Sequence, residues 1–100
     1  MKKKYYVFVP RWRNVGKLFE IWCDPTTKAA RRKAYNFAGP YSILHTSYLY
    51  DGDTGELLGI FTRDPFVREC IWDKAWGKPV PSYHAGLSTL AEAMKKVEEW

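Results

Sequence analysis

Apolar and polar positions at the start of the chain predict a β-hairpin. Residues 5–10, YYVFVP, carry apolar side chains on both alternations, which is typical of a strand buried on both faces and ended by Pro10. Asn14 and Gly16 are residues expected in a tight reversal. Residues 18–23, LFEIWC, then predict a second strand that pairs back antiparallel to the first.

The strongest helical signal lies between Asp24 and Gly39. Asp24 is a favourable N-cap, Pro25 suits the first helical position, and Gly39 followed by proline predicts the end. One helical face is small and apolar, and we expect it to pack against a sheet: Thr27, Ala30, Ala34, Phe37 and Ala38. The opposite face carries cations around a tyrosine and is the best candidate surface for a partner: Lys28, Arg32, Tyr35 and Asn36.

Two further strands follow this helix. Residues 41–50, YSILHTSYLY, are strand-like, and their apolar alternation changes partway, which indicates a bulge or a bend. Residues 51–55, DGDTG, predict a turn, and residues 56–63, ELLGIFTR, predict the returning strand. Residues 64–76, DPFVRECIWDKAW, repeat the Asp-Pro opening and predict a helix, with a fifth strand as the competing interpretation.

The last element is a second clear helix near the C-terminus. Thr89 and Glu92 form a capping box. One apolar stripe, which we expect to complete the core, contains Leu90, Ala93, Met94, Val97 and Trp100. The connection before it, residues 77–86, contains two prolines and reads as an ordered loop.

The element order predicts one α+β domain spanning residues 1–100. Its sheet is mostly antiparallel, with four or five strands and two or three helices in the order β-β-α-β-β-(α or β)-α. We expect the helices to lie on one face and to leave the other face open. With 46% apolar and 17% aromatic residues, the domain needs neither a metal nor a disulfide to fold.

Charge is unevenly divided along the chain, whose net charge is +5. Residues 1–40 contain ten basic and two acidic residues, whereas residues 41–100 contain six basic and nine acidic residues. If folding preserves this division, one side of the molecule attracts polyanions or an acidic protein surface. The longest early apolar run is too short for a membrane span or a secretory leader, so we predict a soluble, cytoplasmic protein without membrane contact.

The basic and aromatic residues of the first hairpin and first helix are the strongest functional signal. Cations neutralise phosphates or carboxylates, and flat rings stack on bases or anchor protein interfaces. The predicted binding residues in this region are Arg11, Trp12, Arg13, Lys28, Arg31, Arg32 and Tyr35. The competing interpretation is that the cations only solvate the surface and Trp12 folds over the core. The motifs of RRM, KH and zinc-finger modules are absent.

Trp72 and Trp76 are further candidates for partner binding. They lie four residues apart, so a helix over residues 64–76 places them on one stripe, separate from its other apolar residues. Five tryptophans in 100 residues exceed what one small core usually needs, although burial of both rings is the alternative. If residues 64–76 form a strand instead, Trp72 and Trp76 no longer share a helical stripe and this argument fails.

Signals for catalysis, metals and cofactors are weak. DGDTGE resembles the opening of a calcium loop, but Glu56 stands where glycine is required, so we predict an ordinary turn. His45, His84, Cys23, Cys70, Ser82 and Asp51 are conceivable catalytic groups that no spacing links. We expect the two cysteines to be reduced and partly buried, and we predict no enzyme activity, no metal and no cofactor.

The sequence therefore favours a small binding protein that acts by stoichiometric contact with a macromolecule. A protein or ribonucleoprotein partner is favoured over bare nucleic acid, because the acidic C-terminal part moderates the charge and base-reading motifs are absent. The small size is typical of inhibitors and adaptors carried by phages and mobile elements. Direct nucleic-acid binding is the main alternative, and an exposed sheet edge leaves a homodimer open.

Overall fold

The computed structural model describes residues 1–12, 15–25, 27–38, 46–63 and 70–97. They form a five-stranded antiparallel sheet in the order β2-β1-β3-β4-β5. The strands are β1 (Lys3–Trp12), β2 (Val15–Cys23), β3 (Thr46–Asp51), β4 (Leu57–Thr62) and β5 (Cys70–Asp73). The helices are α1 (Thr27–Phe37) and α2 (Leu90–Met94), with short 3-10 helices at Lys74–Trp76 and Ser82–Leu87. The α+β class and the antiparallel sheet agree with the prediction.

The first hairpin forms as predicted, but β1 does not stop at Pro10. It continues to Trp12 after a register shift. Pro10 lies opposite Gly16, whose N–H points away from β1 and donates to the Lys96 carbonyl at 3.0 Å. This pair therefore exchanges no ladder hydrogen bonds, and the missing N–H of proline costs nothing there. A Cβ on Gly16 would lie 2.0 Å from the Val9 carbonyl oxygen, so this close approach requires glycine.

Helix α1 begins later than the sequence indicated. It starts at Thr27, so Pro25 lies before it in a bend and Asp24 is not its N-cap. Residues 39–45, which include the predicted stop and the first half of the predicted third strand, lie outside the described residues. The predicted apolar face is confirmed, because Ala30, Ala34 and Ala38 are fully buried against the sheet. Such small side chains allow close packing of the helix on the strands.

The predicted helix over residues 64–76 is wrong in its second half. Residues 70–73 form β5, which pairs antiparallel to β4, and residues 64–69 lie outside the described part. Two tertiary contacts fix this edge strand. Asp73 accepts hydrogen bonds from the Arg31 guanidinium, and the Trp72 indole N–H donates to the Lys78 carbonyl at 2.8 Å. The competing interpretation, a fifth strand, is correct for residues 70–73.

Both faces of the sheet are covered, which corrects the expectation of one open face. The face under α1 holds the first core: Tyr5, Val7, Val9, Ile21, Cys23, Ala30, Ala34, Leu49 and Phe61. The opposite face holds the second core: Phe8, Tyr48, Tyr50, Leu57, Ile60, Trp72, Leu87, Leu90 and Ala93. Alternate residues of β1 enter the two cores, as its two-sided apolar pattern predicted. The C-terminal segment, residues 80–97, covers the second face.

The N-cap half of the predicted capping box is confirmed. The Glu92 N–H donates to Thr89 Oγ1 at 3.2 Å, and Glu92 Oε1 accepts from the Ser88 hydroxyl at 2.7 Å. The helix has only five residues. Of the predicted apolar stripe, Leu90 and Ala93 are buried and Val97 packs on the second core, whereas Met94 is 51% exposed. Trp100 lies outside the described residues. In the described part of the chain, no helix has the length and apolar character needed to cross a membrane.

Candidate binding surface

The strand register places several cations at one end of the sheet. Lys3 lies opposite Cys23 and Lys4 opposite Trp22, so the N-terminal lysines lie where β2 ends. Helix α1 starts four residues after Cys23 and therefore begins at this same end. We call this the basic end and define it by six residues: Lys2, Lys4, Trp22, Lys28, Arg32 and Lys33.

Two shallow depressions lie at the basic end. One, of about 440 Å³, is lined by Lys28, Ala29, Arg32 and Lys33. The other, of about 410 Å³, is lined by Met1, Lys2, Lys3, Lys4, Trp22, Pro25 and Asp53. Burial raises the pKa of the Cys23 thiol, and the ammonium groups of Lys33 and Lys2 oppose that shift. Both depressions are thus lined by cationic side chains.

Arg11 belongs to a different part of the molecule. It lies seven residues from Lys4 along β1, which corresponds to roughly 23 Å in a strand. The main chain of Trp12 pairs with Val15 at this distant end. The Trp12 side chain and the whole of Arg13 lie outside the described part. Arg11 therefore lies apart from the N-terminal lysines of the basic end.

Folding also neutralises some N-terminal cations. Arg31 forms a bidentate ion pair with Asp73, with nitrogen–oxygen distances of 2.6 and 2.7 Å. The Arg31 hydrogen bonds hold the pKa of the Asp73 carboxyl below its usual range. Lys3 contacts Asp53 and lies 3.2 Å from the Asp51 carboxylate. Arg31, a predicted binding residue, is thus engaged within the protein.

The remaining aromatic candidates differ in exposure. Trp72 is 7% exposed and belongs to the second core, so its ring is not part of the surface. Trp76 is 51% exposed, but it follows a strand and no Trp72–Trp76 stripe exists. Tyr35 is half-buried against the first core, with the Arg63 guanidinium 5.4 Å from the centre of its ring.

Sequence reasoning missed Trp22, which is 53% exposed at the basic end. It shares a face of β2 with Leu18 and Glu20, because side chains alternate along a strand. The exposed Glu20 is the signal that was overlooked, since a carboxylate between two apolar residues of one face marks where that face meets solvent. The Lys4 ammonium lies 5.5 Å from the Tyr6 ring on the same face, which adds a second aromatic group.

The candidate catalytic groups are not assembled in the described part of the chain. His84 is buried and hydrogen-bonded to the Tyr48 hydroxyl beside the second core. Cys23 and Cys70 lie at the first core, on the opposite face of the sheet. Burial raises the pKa of both thiols and lowers the pKa of His84. His45 lies outside the described residues.

The DGDTG segment forms a turn between β3 and β4. Asp51 Oδ1 accepts from the N–H groups of Asp53 and Thr54 at 2.8 and 3.1 Å, and Gly55 has a φ of 73°. A positive φ is readily adopted by glycine. Among the described residues, no group of three His, Cys, Asp or Glu side chains has a metal-binding arrangement.

Comparison with known proteins provides no relative: no family model, curated protein or solved structure matches the chain. The arrangement of its own side chains is therefore the basis for assigning a function.

Proposed function

We propose that this protein binds an acidic protein or ribonucleoprotein through its basic end and acts by stoichiometric contact. The observation that carries the proposal is the cluster of exposed cations where β2 ends and α1 begins, with the exposed Trp22 beside the N-terminal lysines. Helix α1 contains four basic residues and no acidic residue. Arg31 is engaged with Asp73, whereas the other three are exposed on the outer side of the helix: Lys28, Arg32 and Lys33.

Lys2 and Lys4 extend this positive surface around the end of β2. Within the described ranges, no carboxylate forms an ion pair with Lys2, Lys4 or the three outer cations of α1. Like charges held close together repel one another, so an acidic partner relieves this repulsion when it binds. Trp22 supplies the large, rigid ring that commonly anchors interfaces.

Nucleic acid is the second candidate partner, and the exposed Trp22 ring beside Lys4 favours it. Bases stack on such rings while cations contact phosphates. A protein or ribonucleoprotein partner is preferred because the sequence contains no base-reading motif. The two candidates differ in salt response, since phosphate contacts release counterions and weaken steeply as salt rises.

Affinity capture from a cell lysate tests the proposal. We expect a specific protein to be retained at moderate salt after nuclease treatment. The double variant Arg32→Glu, Lys33→Glu should reduce capture by about tenfold or more. The matched control Lys78→Glu, Lys95→Glu makes the same charge change away from the basic end and should bind like the original protein.

Two results would contradict a protein partner at the basic end. Equal loss of capture in both double variants would mean that only net charge matters. Recovery of nucleic acid alone, lost as salt rises, would replace the protein partner with direct nucleic-acid binding. Thermal unfolding of each variant should match the original, because the substituted side chains are exposed.

A further inference from the structure

The outer edge of β2 has main-chain groups that the sheet does not use. Strand β2 has nine residues and lies at one end of the strand order, with β1 on its inner side. Gly16 directs its N–H outward to Lys96. Because main-chain groups alternate in direction along an antiparallel strand, the even-numbered residues of β2 all point outward.

An independent contact supports this alternation. The Gly52 N–H donates to the Lys4 carbonyl at 3.1 Å, so Lys4 directs its main-chain oxygen away from β2. Lys4 pairs with Trp22, and the two residues of such a pair both point away from each other. Trp22 therefore faces outward, and the same alternation applies to Glu20 and Leu18.

The C-terminal segment covers only one end of this edge. Val97 bridges Gly16, which closes the edge next to the hairpin turn. Beyond that point, no main-chain partner from the described part of the chain lies along Leu18, Glu20 or Trp22. An open strand edge is a template for pairing with another strand.

We propose that the β2 edge captures an extended, acidic segment of the partner protein, which adds a sixth strand to the sheet. This inference rests on the proposed function and specifies how the basic end makes contact. Main-chain hydrogen bonds to Leu18, Glu20 and Trp22 hold the added strand, as in other cases of strand addition. Its side chains alternate between the two faces of the sheet.

Cations gather at the Trp22 end of this edge. Lys2 and Lys4 line the same depression as Trp22. An acidic side chain of an added strand thus meets a cation where the strand passes Trp22, while an apolar side chain packs on the Trp22 ring. This charge arrangement selects an acidic segment over a neutral or basic one.

The same charges disfavour a second copy of this chain as the occupant. A symmetric antiparallel pair of β2 edges centred on Glu20 places two Glu20 carboxylates opposite each other. Like charges directly opposite in a sheet are destabilising, so the edge is suited to a partner of opposite charge.

The test compares two substitutions of one outward-facing residue. Glu20→Pro removes the outward N–H and places the proline ring on the pairing side, which an edge strand tolerates. Glu20→Thr removes the same carboxylate but keeps the N–H. The probe is a blocked peptide of about ten residues that alternates glutamate and valine. A peptide alternating lysine and valine is its control.

We expect the acidic peptide to bind the original protein and Glu20→Thr, and to bind Glu20→Pro at least about tenfold more weakly. The lysine peptide should not bind. Amide hydrogen exchange should slow at Leu18, Glu20 and Trp22, whereas Phe19 and Ile21, which already face β1, should change little.

Any of four outcomes would overturn the inference. One is that Glu20→Pro binds the peptide as well as Glu20→Thr does. Another is that the peptide fails to bind at millimolar concentration. The third is a concentration-dependent dimer that Glu20→Pro abolishes, because the edge would then pair with a second copy. Peptide binding that is lost in Arg32→Glu, Lys33→Glu but retained in Glu20→Pro would reject strand addition while keeping the basic end as the contact surface.

Discussion

Asp73 shows how a single side chain settles local structure that periodicity leaves open. The Asp73 carboxylate accepts two hydrogen bonds from the Arg31 guanidinium. It accepts a third from the Ala75 N–H at 2.8 Å. It thereby joins α1 to the edge of the sheet and caps the 3-10 helix that follows β5. Both members of the ion pair are largely shielded from water, so the interaction is stronger than a typical surface pair.

Replacing Asp73 with asparagine should lower the free energy of unfolding by about 1–3 kcal/mol at neutral pH. Because Arg31 holds the pKa of Asp73 below its unfolded value, this stabilisation is present above the unfolded pKa. It is lost as pH falls through the folded pKa, so the difference between the original protein and Asp73→Asn should begin to shrink below about pH 4 and disappear once the pH lies below the folded pKa. Urea unfolding at several pH values measures the difference.

The control for this experiment is Asp53→Asn at the contact with Lys3. The Asp53 side chain is 71% exposed, so Asp53→Asn should lower the free energy of unfolding much less than Asp73→Asn does. The role given to the ion pair would be contradicted if the free energies of unfolding of Asp73→Asn and the original protein differed by the same amount from neutral to strongly acidic pH.

Tryptophan exposure could be inferred from sequence at one position and not at another. Glu20 shares a face of β2 with Trp22 and indicated that this part of the face meets water. Nothing near Trp72 indicated its burial, because its ring is enclosed by residues from distant segments, among them the Lys78 carbonyl. The local sequence pattern therefore indicates that a tryptophan side chain is exposed when a polar residue lies next to it on the same face of a strand.

At the scale of elements, α1 illustrates how small residues set the distance between a helix and a sheet. Ala30, Ala34 and Ala38 are fully buried, and the buried Ser47 hydroxyl donates to the Ala34 carbonyl at 2.6 Å. The backbone of α1 thus lies close to β3. The helical spacing of these small apolar residues predicted this packing. The direction of the charged side chains of α1, in contrast, depended on which strands of the sheet lie beneath the helix.

Ala34→Leu should destabilise the protein by about 1–3 kcal/mol, because the added methylene groups have no space between α1 and the sheet. Ala91→Leu on the exposed side of α2 is the matched control and should change stability by about 0.5 kcal/mol or less. Chemical denaturation of both variants provides the comparison. Equal stabilities would mean that α1 does not approach the sheet this closely.

Strand β5 shows why element type was ambiguous over residues 64–76. The segment is short and apolar on both alternations, so helical and extended patterns fit it about equally. Pairing with β4 decides in favour of a strand, because the edge groups of β4 need partners and Asp73 reaches Arg31 only from this position. Such contacts join residues far apart in sequence and leave no local signal.

At the scale of the whole molecule, the C-terminal segment completes a three-layer arrangement of α1, sheet and C-terminal segment. Leu87 is 1% exposed, and its carbonyl accepts from the buried Tyr50 hydroxyl at 2.5 Å. Burial strongly raises the pKa of that hydroxyl, so it remains a donor. Three residues further along the segment, the Leu90 N–H donates to the Gly55 carbonyl at 2.8 Å. The segment is therefore anchored across the second face.

Leu87→Ala should lower stability by about 2–5 kcal/mol, since it opens a cavity in the second core while keeping the carbonyl bonded to Tyr50. Met94→Ala, at a position that is 51% exposed, should change stability by about 0.5 kcal/mol or less. Thermal unfolding distinguishes the two. A Leu87→Ala variant as stable as Met94→Ala would show that the C-terminal segment does not pack on the sheet.

Charge distribution is also decided by the whole molecule. The sequence divides basic from acidic residues along the chain, and folding then pairs members of the two halves: Lys3 with Asp51 and Asp53, and Arg31 with Asp73. The positive surface that remains is smaller and lies at one end of the sheet. Its position follows from the pairing of β1 with β2, which no count of charges reveals.

Local patterns in the sequence were enough to predict the α+β class, the first hairpin, the buried face of α1 and the N-cap of α2, because each depends on residues close together in the chain. Only the tertiary structure decided that β5 is a strand, that both sheet faces are covered, and which cations gather beside Trp22. The physical reason is that strand pairing and core packing join distant residues, so their outcome depends on contacts that no local periodicity encodes.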